Sequence, residues 1–115
     1  MNGGTLRLVP ESSLVNPEIR SGAVFADGTL RLTGTNSIVT GSNTRFHGPG
    51  VLRNEGRLTE ASVWFDSDIE NAGEWIYATT TRPRYGGLFR NLAGATYTVT
   101  NVTGSLSDGH SSTLL

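Results

Sequence analysis

The densest set of groups able to do chemistry in this sequence is Asp66, Asp68 and Glu70. On an extended strand Asp66 and Asp68 would share one face, about 7 Å apart. Hard oxygen ligands so placed suit Ca²⁺, and a carboxylate pair is also what a glycoside-cleaving site requires. The plainer reading, a solvated outer face or corner, is preferred, because the tandem Gly-Gly-x-Gly-x-Asp pattern of Ca²⁺-binding β-rolls does not occur. The two histidines are the next candidates. His47 sits in Phe46-His47-Gly48-Pro49-Gly50, a turn by composition. His110 sits in Asp108-Gly109-His110-Ser111-Ser112. No Gly-x-Ser-x-Gly elbow presents a serine nucleophile, so a polar loop is the better reading of that segment. No catalytic residue is assigned, and the chain is read as a non-enzyme.

A third group mixes arginine with aromatic rings. Thr79 to Gly87 is the longest irregular stretch, and it carries Arg82, Arg84 and Tyr85, with Trp64 upstream. Arginine beside an indole or phenol can stack on a sugar ring or clamp a carboxylate. Arg82, Arg84, Tyr85 and Trp64 are therefore the candidate ligand-binding residues, with a glycan as the candidate ligand. The plainer alternative is a long corner with Trp75 filling the core. Asn101-Val102-Thr103 fits an N-glycosylation sequon, an isolated pattern of low specificity.

Composition narrows what these residues can belong to. The chain has 115 residues, enough for one domain over residues 1–115. Only 36% are hydrophobic, and 15 are glycine, a balance of strands and turns rather than helices. Net charge is −1, so nothing marks a nucleic-acid partner. All 9 basic residues counted as lysine or arginine are arginine. Zero cysteines exclude disulfides and thiolate metal sites. No cofactor motif is present. No stretch is long and apolar enough to insert into a membrane as a helix, and Met1-Asn2-Gly3-Gly4 lacks the basic start and apolar run of a secretion signal.

The elements that would position these groups show themselves as repeats. Gly-Thr-Leu-Arg-Leu occurs at Gly4 to Leu8 and again at Gly28 to Leu32. A looser form follows: apolar, any, Asn or Asp, a short gap, Gly, any, apolar. It appears around Asp27-Gly28, Asn54-Glu55-Gly56, Asn71-Ala72-Gly73 and, more loosely, Asn91 to Gly94. Asn and Asp bond their own neighbouring amides, and glycine takes positive φ freely, so each word reads as strand, corner, strand. In Thr29-Leu30-Arg31-Leu32-Thr33 the leucines share one face, and Thr96 to Thr100 alternates likewise. Ile38-Val39, Val63-Trp64-Phe65 and Val102 to Leu106 supply further short strands. About three strands per turn build a parallel β-helix coil. Stacked coils would align Asp27, Asn54, Asn71 and Asn91 as a hydrogen-bonded corner ladder, with Leu30, Leu58, Trp75 and Tyr97 inside. A β-sandwich is the alternative architecture, because short strands with turn signals recur there too.

With these words in view, the chain resembles the glycine- and asparagine-rich repeats of bacterial parallel β-helix surface proteins, of the filamentous-haemagglutinin and autotransporter passenger type. The resemblance runs from about Gly4 to Thr103 and rests on a degenerate motif. It implies a short right-handed parallel β-helix, an all-β solenoid of about four or five coils. It also implies an extracellular or cell-surface location, and structural or adhesive work in a surface or fibre assembly. Passengers of that type usually run to many more coils, so a fragment, a capped mini-solenoid or a self-stacking subunit is expected. Gly3-Gly4-Thr5-Leu6 and Ser112-Thr113-Leu114-Leu115 carry no capping charge, so the coil ends are expected to self-associate head to tail. The alternative function is a carbohydrate-binding or carbohydrate-cleaving β-helix of the phage tail-spike type.

Overall fold

The computed structural model describes residues 1–8, 11–78 and 84–100, with the backbone of 113–114. The first rung holds β1 (Asn2–Leu8), β2 (Ser12–Val15) and β3 (Glu18–Ile19). The second holds β4 (Ser21–Ala26), β5 (Thr29–Thr33) and β6 (Ser37–Thr40). The third holds β7 (Thr44–His47), β8 (Val51–Asn54) and β9 (Arg57–Ala61). The fourth holds β10 (Trp64–Phe65), β11 (Asp68–Asn71) and β12 (Glu74–Ala78). The fifth holds β13 (Arg84–Tyr85), β14 (Leu88–Asn91) and β15 (Thr96–Thr100), followed by β16 (Thr113–Leu114).

Strands of like position stack into three sheets. The first is β1-β4-β7-β10-β13, the second β2-β5-β8-β11-β14-β16, and the third β3-β6-β9-β12-β15. Every ladder described is parallel. Consecutive strands always occupy different faces, so the hairpins of a sandwich, which need antiparallel neighbours, are absent among the described residues. The protein is a parallel β-solenoid.

Alternation decides which side chains enter it. On the first sheet Leu6, Val24, Phe46, Phe65 and Tyr85 are successive register partners. On the second, Leu30, Leu52, Ile69 and Phe89 form such a column, and on the third, Leu58, Trp75 and Tyr97. The core thickens with rung number, from aliphatic to aromatic side chains. Phe46 and Phe65 stack at 5.2 Å, and Trp75 meets Phe89 edge-on at 5.1 Å. Trp75, Phe65 and Phe89 are completely buried, and each such side chain contributes about 1.5–3 kcal/mol relative to exposure.

The architecture corrects two details of the repeat reading. The two copies of Gly-Thr-Leu-Arg-Leu do not stack. Gly4–Leu8 lies in β1 on the first sheet, whereas Thr29–Thr33 is β5 on the second. Each face demands the same in-out alternation, so one word serves two faces. Leu30, grouped with Leu58, Trp75 and Tyr97, likewise belongs to a different sheet from them. The glycines that stack at the corner from second to third sheet are Gly34, Gly56 and Gly73. A Cβ on Gly56 would collide with the Gly34 carbonyl, and one on Gly73 with that of Gly56. The segment Val102 to Leu106 lies outside the described residues.

Candidate functional site

Three clusters of polar or aromatic side chains follow from this scaffold. The first is the asparagine ladder at the corner after the second sheet. Asn54 Nδ2 donates to Asn71 Oδ1 at 2.9 Å, and Asn71 Nδ2 donates to Asn91 Oδ1 at 2.7 Å. The same amides reach one rung on to the backbone, Asn54 to the Glu74 carbonyl and Asn71 to that of Thr96. In return Asn54 Oδ1 accepts from the Gly56 amide and Asn71 Oδ1 from that of Gly73. Ladder partners are 17 residues apart at the first step and 20 at the second, so side-chain register holds while corner length varies. Asp27 is elsewhere. It lies in the turn between β4 and β5, at a different corner, and the residue below Asn54 in the ladder column is Leu32. Aspartate and asparagine both suit corners, so the motif does not tell which corner each occupies.

The second cluster lies on the outer face of the first sheet. Arg45, Trp64 and Arg84 are register partners on successive rungs. The Arg84 guanidinium sits 4.6 Å from the Trp64 ring centre, and Trp64 is 44% exposed. Two positions along, Arg7, Phe25 and His47 form a second outward column. Arg7 lies 4.3 Å over the Phe25 ring, which meets the His47 ring edge-on. Of the four candidate ligand-binding residues, the structure brings Trp64 and Arg84 together. Arg82 falls outside the described residues, as do His110 and the Asn101 sequon. Tyr85 is corrected: it follows Arg84 on β13, so it points inward and is buried.

The acidic triple does not converge. Asp66 is in the corner between β10 and β11, off the strand that carries Asp68 and Glu70, and its carboxylate pairs with Arg45. Asp68 Oδ1 accepts from the Leu88 amide. Glu70 lies 3.0 Å from Arg53 and 3.9 Å from Arg90. Among the described residues no cluster of three side chains is arranged to hold a metal ion. Asp68, Glu70 and Arg90 instead line an open cleft of about 190 Å³ with Val51, Ile69 and Leu88. The outer face of the second sheet is a charge ladder in which Glu11, Arg31, Glu55, Arg53, Glu70 and Arg90 pair in sequence. Hydrogen bonds from Arg53 to Glu55 and then Glu70 hold its guanidinium above its ordinary range.

The third cluster is inside the core and is one that motif reading passed over. Glu60 is fully buried. Its Oε1 accepts from the Tyr85 hydroxyl at 2.8 Å and from Trp75 Nε1 at 3.4 Å, while Oε2 has no hydrogen-bond partner. The Tyr85 hydroxyl also lies 2.7 Å from that of Tyr97. A hydroxyl has one proton, so Tyr97 donates to Tyr85 and Tyr85 to Glu60. Burial drives the Glu60 carboxyl from 4.5 up to about 8, against the pull of Tyr85, Trp75 and the Val63 backbone. Burial, the Glu60 carboxyl and Tyr97 push the Tyr85 phenol well up. The signal for Glu60 was present. It stands two residues after Leu58 on β9, so it shares the inward face.

Comparison with protein-family models, with curated proteins and with solved structures finds no match to this chain.

Proposed function

We propose that this solenoid is a structural module of an extracellular or cell-surface fibre, adding to copies of itself end to end. The observation that carries the reading is the state of the first rung. Among the described residues β1, β2 and β3 each have a ladder neighbour on one side only. Unpaired strand edges template further strands unless charge, proline or a covering element blocks them. Above that edge the core is half covered: Met1, Leu6, Leu8 and Leu14 pack against it and are only partly buried. A second copy seated there would bury those side chains and pair the edge. The contact joins unlike ends, so it does not close and grows a filament. The resemblance to surface-protein repeats points the same way.

Electron microscopy and light scattering on the purified chain test it. Filaments are expected whose repeat per chain is about 24–29 Å, the five or six strands stacked in each sheet at strand spacing. A monodisperse monomer at high protein concentration would sink the reading.

A further inference from the structure

The eight arginines among the described residues divide sharply. Arg20, Arg31, Arg45, Arg53, Arg57 and Arg90 each pair with a carboxylate. Arg7 and Arg84 have no carboxylate partner among the described residues, and each lies over an aromatic ring, Phe25 and Trp64. Both are on the outer face of the first sheet. That face also holds Arg45, which is paired with Asp66. The chain's net charge of −1 therefore conceals a face with two arginines that no carboxylate pairs among the described residues. The second sheet, with its alternating ladder of charges, has no such excess.

We infer that the outer face of the first sheet binds an acidic saccharide, a chain of sugar rings bearing carboxylates. The inference does not depend on end-to-end assembly. Its chemistry needs two things at a regular spacing. One is a flat apolar edge for the ring, which half-exposed Trp64 and Phe25 supply. The other is a planar donor fork for the carboxylate, which Arg7 and Arg84 supply without first breaking an ion pair. Parallel rungs repeat about every 4.8 Å, so the stripe from the Arg7 rung to the Arg84 rung runs roughly 19 Å, enough for several sugar rings. Single-stranded nucleic acid would also stack on these rings, but its charge density calls for more free cations than two.

The full chain should be titrated calorimetrically with hexagalacturonate, with cellohexaose as a neutral chain of equal length, and with oligothymidylate. Hexagalacturonate is expected to bind, more weakly as salt rises. Arg84→Gln and Trp64→Ala should each weaken it roughly tenfold or more, and Arg57→Gln, on the third sheet, should leave it unchanged. An Arg7→Gln, Arg84→Gln double variant keeps the test decisive if Trp64→Ala folds poorly, since both side chains lie on the surface. Absence of hexagalacturonate binding, equal binding of cellohexaose, tighter binding of oligothymidylate, or equal loss in Arg57→Gln would each overturn the inference.

Discussion

Replacing Glu60 by glutamine should change how stability depends on pH, and by a predictable amount. The carboxyl titrates near 4.5 in an ordinary setting and at about 8 when folded, because burial disfavours its charge. Between those values the folded chain holds a proton that the unfolded chain has lost. Stability therefore falls as pH rises, by about 1.4 kcal/mol per pH unit. The contribution is complete below about 4.5 and gone above about 8, a total on the order of 5 kcal/mol. Other carboxylates titrate too, so the decisive quantity is the difference between variant and wild type. Glutamine keeps an oxygen for Tyr85 and Trp75 but sets an amide where Oε2 has no partner, at a cost of about 1–2 kcal/mol. At pH 5 the variant should be slightly the less stable. At pH 8 it should be the more stable by about 2–3 kcal/mol. Urea unfolding followed by tryptophan emission measures both, since Trp75 is buried against Glu60. Parallel pH profiles for the two proteins would refute the reasoning.

Three further outcomes are expected. Asn71→Leu should destabilise by about 2–4 kcal/mol in denaturant unfolding, because it strips partners from Asn54, Asn91, Gly73 and Thr96 at once; Asn91→Leu, at the end of the ladder, should cost less. Gly56→Ala should also destabilise, by about 1–3 kcal/mol, since its Cβ meets the Gly34 carbonyl; a melting temperature equal to wild type would contradict the stacking. Val15→Lys places a charge on an already exposed edge position, so it should leave the melting temperature near wild type and shorten or abolish filaments seen by light scattering.

The all-β class and the inner face are legible in the residues alone. Short alternating strands between asparagine and glycine corners point to three-sided coils, the parallel ladders decide against a sandwich, and inward Leu30, Leu58 and Trp75 follow from a period of two. Glu60 was legible on the same grounds, since its place beside Leu58 on β9 is set by alternation alone. What alternation does not carry is which of three faces a strand belongs to. The same word therefore recurs on two sheets, Asp27 falls at a different corner from Asn54, and Arg84 and Tyr85 part to opposite sides of one strand. Partners on neighbouring rungs are 17 to 20 residues apart at the asparagine ladder, and corners of unequal length erase any fixed period. Only the stacked coil decides that Arg84 meets Trp64, that Asp66 meets Arg45, and that the carboxyl of Glu60 meets Tyr85, because those contacts run between rungs.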